Sequence, residues 1–293
     1  MQKKKSDTFF MLFLKFFAFI SIRLSIKLRN KFGKFLGNLL VIISKQRKLI
    51  TLNNLKNAFP DKSDDWIYGK MKSTYHNLAI TFLELIIMDK LSDNKLDDLV
   101  KFKNIQEIID IYNRKNGLIL MSGHFGNWEL MAYSVGHFTK IPVQIIVKKQ
   151  KIADEFYNQK RTSRNNKVVE MAGSAREVIK TLTNKDTIAL LADQNATIDK
   201  DIFIEFFGRK VPTYKAPAEL ALRFKVPIIF GVAIRNDDGT YFIDHSEIKH
   251  NDLTYSREGV EELTKRHVKL LENFIRKYPE LWAWQHKRWK FAQ

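Results

Sequence analysis

The chain contains no cysteine among its 293 residues. This absence excludes disulfide bonds, thiolate nucleophiles and cysteine metal sites, so any catalysis must use other side chains. Acidic residues are also few, since 32 Asp and Glu stand against 50 Lys and Arg, for a formal net charge of +18. Such a balance indicates an acidic partner, such as anionic lipid, phosphate groups, nucleic acid or an acidic carrier protein, unless the excess is only a solvated basic surface.

Several familiar motifs are missing as well. The sequence has no GxSxG, HExxH, GxxxxGK[ST] or GxGxxG pattern, which leaves the usual signatures of serine hydrolases, zinc proteases and nucleotide-binding proteins unrepresented. Most histidines lack metal-like spacing with acids, and we predict that these are structural or exposed: His76, His137, His245, His250 and His267. We predict no metal site.

The N-terminal apolar run, FFMLFLKFFAFISI at residues 9–22, is short and contains Lys15, whereas a transmembrane helix needs roughly 20 apolar residues. Basic residues flank it on both sides without an A-x-A-like exit, which fits a cleaved signal peptide poorly. The pattern predicts a helix in an anionic membrane surface, with Phe and Leu among acyl chains and Lys and Arg at lipid phosphates. A second apolar patch, FLGNLLVII at 35–43, could extend this surface.

An alternative is an N-terminal helix that packs on the rest of the protein. In that arrangement Phe9, Phe13, Phe16 and Phe17 would belong to the core. The two alternatives differ in whether these rings face lipid or protein.

Beyond residue 116, short apolar runs alternate with helical patterns. GLILMS (117–122), PVQIIV (142–147) and TIALLA (187–192) predict buried strands. Stretches between them, with apolar residues every three or four positions, predict helices. This alternation predicts an α/β fold with a mixed, mostly parallel sheet flanked by helices.

A long helix is predicted upstream of the sheet, over residues 63–88, with Ser63 as its N-cap. No linker or repeat interrupts the chain after residue 50. We therefore divide the sequence into a hydrophobic and basic membrane-associating segment at 1–50 and one α/β domain at 51–293.

The stretch MSGHFGNWEL at 121–130 has the features of a catalytic turn. In the predicted fold His124 follows a strand and precedes a helix, at the sheet edge where open α/β sheets bind ligands. Gly123 and Gly126 permit a tight turn and the close approach of a substrate. Glu129 falls in the first helical turn, and we predict that it bonds one ring nitrogen of His124 and leaves the other as a general base.

Such a dyad would deprotonate a hydroxyl group directly, without a covalent enzyme intermediate. The alternative is a structural histidine beside a glutamate that merely starts a helix. The residues of the turn leave both interpretations open.

The C-terminal stretch YPELWAWQHKRWK at 278–290 mixes tryptophans with basic residues. This mixture suits an interfacial surface or a phosphate clamp. Stacking on nucleic acid is a competing interpretation, although no known nucleic-acid-binding module is visible. A third is that the tryptophans lie in the core.

Several ordered motifs jointly resemble the lipid A biosynthesis acyltransferases, the lauroyl and myristoyl transferases of Gram-negative bacteria. They are GHFGNWE, ADQN followed by FFG, and YPELWAWQHKRWK. NLKNAFPDKSDDW at 54–66 and the hydrophobic, basic N-terminal segment are also similar to that family. The resemblance covers nearly the whole chain and is specific to the family rather than to one member.

The resemblance implies a glycerolipid-acyltransferase-like fold in an enzyme at the cytoplasmic face of the inner membrane. The enzyme would move an acyl chain from acyl carrier protein to a hydroxyl of a phosphorylated lipid A precursor, without a nucleic-acid partner. His124 and Glu129 match the family's His-x4-Asp/Glu motif, with the histidine as base and the acid orienting it. Arg161 or the nearby Arg164 matches a functional arginine, Asp193 matches the acid of the ADQN-like segment, and we assign these three residues to substrate binding.

The implied chemistry agrees with the composition. A thioester is activated enough to need no enzyme nucleophile, so the absence of cysteine is no obstacle. Arg161 or backbone N–H groups of residues 123–127 could stabilise the tetrahedral oxyanion. A basic surface suits an acidic carrier protein and a phosphorylated acceptor, and we expect neither a metal ion nor an organic cofactor.

Two other functions stay open at this point. The first is the same chemistry on another membrane glycolipid or lipid. The second is a non-catalytic membrane- or nucleic-acid-binding protein in which the pair of His124 and Glu129 is structural.

Overall fold

The structure of the chain is a computed structural model. It describes residues 2–150, 153–194, 196 and 201–293, with side chains from residue 10 onward. The α-helices are α1 (Gln2–Arg23), α2 (Ile26–Ile43), α3 (Lys45–Ala58), α4 (Asp64–Leu85), α5 (Asp93–Leu99), α6 (Ile105–Asn113), α7 (Trp128–Thr139), α8 (Asp154–Arg161), α9 (Ala175–Thr183), α10 (Ala216–Phe224) and α11 (Arg257–Lys277). The strands are β1 (Val100–Phe102), β2 (Leu118–Ser122), β3 (Val143–Val147), β4 (Asn166–Glu170), β5 (Thr187–Leu191), β6 (Ile202–Phe206), β7 (Arg209–Thr213), β8 (Ile228–Arg235) and β9 (Tyr241–Glu247).

Seven strands form one sheet in the order β1-β9-β8-β2-β5-β3-β4. Strands β8, β2, β5, β3 and β4 are parallel, while β9 is antiparallel to β8 and parallel to β1. The predicted α/β fold with a mixed, mostly parallel sheet is therefore confirmed. The separate hairpin of β6 and β7 has no counterpart in the sequence-based prediction.

Helices cover both faces of this sheet, as predicted. On one face, α9, α10 and α11 enclose the largest core cluster, which includes Phe230 and Val232 of β8. On the other, α6 and α7 pack over a smaller cluster that includes Ile229 of the same strand. The alternation along β8 follows from the two-residue period of a strand, which turns successive side chains to opposite faces.

The N-terminal helices pack onto α4. The predicted N-cap is confirmed, because the Ser63 hydroxyl accepts a hydrogen bond from the Trp66 amide at the start of α4. Leu14 of α1 is fully buried in a cluster with Leu83 of α4. At Gly33, α2 comes so close to α4 that an added Cβ would lie 2.4 Å from Ile80 Cγ1.

The outer side of α1 carries large apolar side chains in solvent. Phe16 and Phe19 are 59% and 57% exposed, and Phe13 is 40% exposed. The alternative that places Phe13 and Phe16 in a packed core is therefore wrong, because Leu14 and the residues in phase with it occupy the inward side. Phe17 is partly buried and does pack against the Leu14 cluster. The side chain of Phe9 lies outside the described residues. Within the described part of the chain, no helix combines the length and the apolar content that crossing a bilayer requires.

The C-terminal tryptophans lie in the core, so the interpretation of them as an interfacial surface is wrong. Trp282 and Trp284 are 1% and 0% exposed, and Trp289 stacks on Trp284. The backbone of this segment is hydrogen-bonded to the turn at residues 121–130, since the Ala283 amide donates to the His124 carbonyl oxygen. The tryptophans thereby anchor the chain beside His124.

Candidate active site

The turn after β2 depends on its two glycines. Gly126 has φ +58°, and an added Cβ would lie 1.6 Å from the Ala233 carbonyl oxygen, so no side chain fits there. A Cβ on Gly123 would lie 3.1 Å from Oδ2 of Asp193. The predicted helix start is confirmed, because the Asn127 side chain accepts a hydrogen bond from the Leu130 amide at 3.0 Å.

His124 pairs with Asp193. Its Nδ1 lies 2.7 Å from Asp193 Oδ1. The second carboxylate oxygen accepts hydrogen bonds from the His124 backbone amide at 2.7 Å and from Trp282 Nε1 at 2.8 Å. Asp193 follows β5, the parallel neighbour of β2, and the carboxyl ends of adjacent parallel strands meet at one edge of a sheet.

His124 and Asp193 stabilise each other's charged forms. Burial opposes protonation of His124, but the charge of Asp193, its hydrogen bond and the charge of Glu129 outweigh burial and raise the pKa of the ring. Burial alone would raise the pKa of Asp193, but His124 and Trp282 bind its carboxylate and lower that pKa to about 2. Asp193 is therefore ionised at neutral pH and favours a proton on Nδ1 of the ring.

Glu129 does not make the predicted hydrogen bond to His124. It forms a bidentate ion pair with Arg161, with 2.9 Å to Nε and 2.6 Å to Nη2. Glu129 lies in the first turn of α7 and Arg161 in the last turn of α8, so the pair ties two helices together beside the turn. Glu129 acts on His124 only through its charge, while Asp193, which we assigned to substrate binding, holds the ring.

Arg161 and Arg164 occupy different environments. Arg161 lines the cavity described below. Arg164 instead donates to the Tyr133 hydroxyl and the Leu91 carbonyl oxygen, and it forms an ion pair with Asp93. Arg164 does not line the cavity. Of the two arginines that we assigned to substrate binding, only Arg161 therefore lies at the site.

A cavity of about 420 Å³ opens beside His124. It runs between α7 and the sheet, where its wall is mostly apolar. Leu120, Val135, Ile145 and Ile229 represent this lining. A mostly apolar cavity with a few polar groups at one place is typical of a ligand site.

The chain matches the family described as bacterial lipid A biosynthesis acyltransferase over residues 3–291. It belongs to this family. No curated protein sequence matches the chain. Family membership makes the protein an acyltransferase and implies an acyl donor and a lipid acceptor as its substrates.

Three further polar residues of this acyltransferase line the same cavity as His124 and were not among the predicted site residues. They are Gln194, Tyr214 and His286. The side-chain nitrogen of Gln194 lies 3.1 Å from His124 Nε2. Burial lowers the pKa of His286 to about 4, so this second imidazole is neutral at physiological pH. Gln194 and His286 each lie inside a motif that carries the family resemblance, which was the available sequence signal.

Across the residues that the structure describes, no three His, Asp or Glu side chains form a cluster suited to a metal ion. The expectation of a metal-free and cofactor-free enzyme stays a prediction.

Proposed function

We propose that this acyltransferase moves a fatty acyl chain from acyl carrier protein to a hydroxyl of a lipid A precursor, with His124 as general base. The observation that carries the proposal is the pair of His124 and Asp193 beside an apolar cavity. The pair supplies a base with a defined tautomer. The cavity of about 420 Å³ has room for about fourteen water molecules at roughly 30 Å³ each, and so for an acyl chain of medium length.

The proposed reaction needs only this pair for proton transfer. Asp193 keeps the ring proton on Nδ1, so Nε2 accepts the proton of the acceptor hydroxyl as its oxygen attacks the thioester carbonyl carbon. The tetrahedral intermediate expels the carrier thiolate, which receives the proton from Nε2. The products are an ester and a free thiol. In the resting site the amide of Gln194 stands 3.1 Å from Nε2, and the acceptor hydroxyl would replace it.

The oxyanion of the intermediate needs a donor, and Arg161 is the better of the two candidates. The amide of His124 donates to Asp193, that of Phe125 to the Gly123 carbonyl, and that of Gly126 to the Leu281 carbonyl. Three of the five N–H groups in the turn at residues 123–127 are therefore already committed to other acceptors. Arg161 lines the cavity with a guanidinium held by Glu129, and its remaining N–H groups can bind developing negative charge.

The proposed donor and acceptor suit the basic charge of the protein. Acyl carrier protein and a phosphorylated lipid are both anionic, and the chain has a formal net charge of +18, which favours their approach. We assign the site at the cytoplasmic face of the inner membrane, where an acyl-carrier thioester and a membrane lipid can meet.

We infer that residues 1–50 supply the membrane contact. Exposed apolar side chains lie on both α1 and α2: Leu12, Phe13, Phe16, Phe19, Phe35, Leu39, Ile42 and Ile43. Exposed basic residues are interleaved with them at Lys15, Lys27 and Lys31. Large aromatic and aliphatic groups beside basic ones favour insertion at an anionic interface.

The proposal is tested by transfer from radiolabelled acyl-carrier thioesters of 10 to 18 carbons to a purified lipid A precursor. We would compare membranes that contain the wild type, His124→Ala or His76→Ala. His76 is a matched control because it bonds Asn38 on α2 and does not line the cavity. We expect transfer with the wild type and the control, and its loss in His124→Ala.

Two results would contradict parts of the proposal. Intact transfer by a folded His124→Ala variant would exclude His124 as the base. No transfer by folded wild type would reject the lipid A precursor as acceptor, and the same thioesters would then be offered with other membrane glycolipids and lipids.

A further inference from the structure

One arm of the cavity passes over a glycine in the central sheet. Gly231 lies on β8 between Ser122 of β2 and His245 of β9, and all three residues line the cavity. Its φ angle is not in the left-handed region, so the backbone there does not require glycine. Glycine inside a strand often marks the close approach of a ligand.

An added Cβ at position 231 would have little free space. It would lie 3.3 Å from His245 Cβ, and 3.7 Å from both Met131 Sδ and the Asp244 carbonyl oxygen. A methyl group would therefore contact His245 and Met131. Without one, the passage from the active site to His245 stays open.

His245 is a polar group at the buried end of this passage. The residue is 2% exposed, and neither ring nitrogen has a hydrogen-bond partner. Glu107 Oε2 comes within 3.5 Å of Nδ1, and the Asn104 backbone is also near, but neither completes a hydrogen bond of good geometry. The cavity-lining residues near the ring are apolar, namely Phe102, Ile108 and Ile243.

We propose that His245 limits the length of the acyl chain by its polarity, and that Gly231 keeps open the passage through which the chain reaches it. This inference rests on the proposed function. A chain that stops short of His245 leaves room for water to bond the ring nitrogens. A chain that reaches the ring expels that water and leaves two buried polar atoms unsatisfied, which is unfavourable.

The proposal predicts a sharp cutoff in donor length. Stranding a buried polar group reduces the relative rate by about ten-fold to a hundred-fold, so transfer should fall by that factor between the longest chain that clears the ring and the next one. A purely steric floor would also give a cutoff, but the two explanations differ in how they respond to an apolar ring of similar shape.

The decisive variant is therefore His245→Phe, assayed with acyl-carrier thioesters of 8 to 18 carbons. Phenylalanine is at least as large as histidine but has no polar atom. A polar limit predicts that the cutoff moves to longer chains by at least two carbons, with transfer of short chains unchanged. An unchanged cutoff, or a shift to shorter chains, would overturn the proposal. His245→Gln keeps polar atoms and is expected to keep the wild-type cutoff more closely than His245→Phe.

Gly231→Ala tests the path independently. The added methyl group closes the passage with a shift of a few tenths of an ångström, so we expect a folded protein that retains transfer of the shortest chains and loses that of longer ones at least ten-fold. Equal transfer of all lengths would show that the chain takes another path and would overturn the proposal. Failure of the wild type with every donor would instead reject the proposed function.

Discussion

Replacement of Asp193 by asparagine should switch the tautomer of His124. In the wild type, Asp193 Oδ2 accepts two hydrogen bonds, from the His124 amide and Trp282 Nε1, while Oδ1 faces His124 Nδ1. An asparagine can accept the hydrogen bonds from the His124 backbone amide and from the Trp282 indole only if its single side-chain oxygen lies at the Oδ2 position. Its NH2 group then faces Nδ1, which must accept, so the ring proton moves to Nε2.

The magnitude follows from the two possible orientations of the new amide. If the NH2 group faced the His124 backbone N–H and the Trp282 indole N–H, these two buried donors would lose their acceptor, at a cost of about 1–3 kcal/mol each. The orientation in which Nε2 carries the proton is therefore favoured. A histidine base held in the wrong tautomer loses a factor of about 10⁴ in rate, as in the serine protease triad. We therefore expect Asp193→Asn to reduce transfer by about 10³- to 10⁴-fold.

The assay is the initial rate of acyl transfer from a labelled carrier thioester, with thermal unfolding as the folding check. Asp97→Asn is a matched control, because Asp97 makes the corresponding bond to His137 Nε2 at 2.9 Å and neither residue lines the cavity. We expect the control to transfer at close to the wild-type rate. A folded Asp193→Asn variant within ten-fold of wild type would refute the assignment of Asp193 as the residue that orients the base.

Three more outcomes can be checked. Transfer should decrease as pH falls through the raised pKa of His124, because only the neutral ring is a base; a pH–rate profile flat from pH 6 to 8 would contradict this. Arg161→Ala should lower transfer at least ten-fold, whereas Arg164→Ala, which removes contacts outside the cavity, should mainly lower the unfolding temperature; similar rate losses in both would count against the distinction. Replacing Phe16 and Phe19 together by serine should weaken vesicle binding, since burying the exposed part of each ring, a little over half of it, in an apolar phase is worth about 1–2 kcal/mol; unchanged co-sedimentation with anionic vesicles would exclude this face of α1 as the contact.

Leu14 and Phe16 show that the two sides of the N-terminal helix have different environments. Leu14 packs into the core with α4, while Phe16 points to solvent. A helix that is apolar nearly all round can be buried on one side and still offer an apolar side to lipid. The run at residues 9–22 lacks a polar stripe, so it did not indicate which rings face inward.

The sequence by itself determined the alternation of strands and helices, the turn that presents His124, the N-cap of α4, the start of α7, and the family. These features depend on residues close together in the chain, namely periodic apolar positions, glycines and capping side chains. The partner of His124 was decided only by tertiary structure. Glu129 is five residues away but lies on a helix that turns it to Arg161, whereas Asp193 is brought to the ring because β5 lies next to β2.

Which residues line the cavity, and whether the C-terminal tryptophans are buried, were likewise decided by tertiary structure. Gly231 and His245 are neighbours because β8 and β9 pair in one register, and a shift of β9 by one residue would turn His245 to the opposite face of the sheet. Trp282 is buried because its ring packs against Phe206 and Trp284, and its Nε1 donates to Asp193. The sequence shows which chemical groups a chain contains, and its local hydrophobic periodicity predicts the helices and strands that carry them. The pairing of strands that are distant in sequence decides which of these groups share a site.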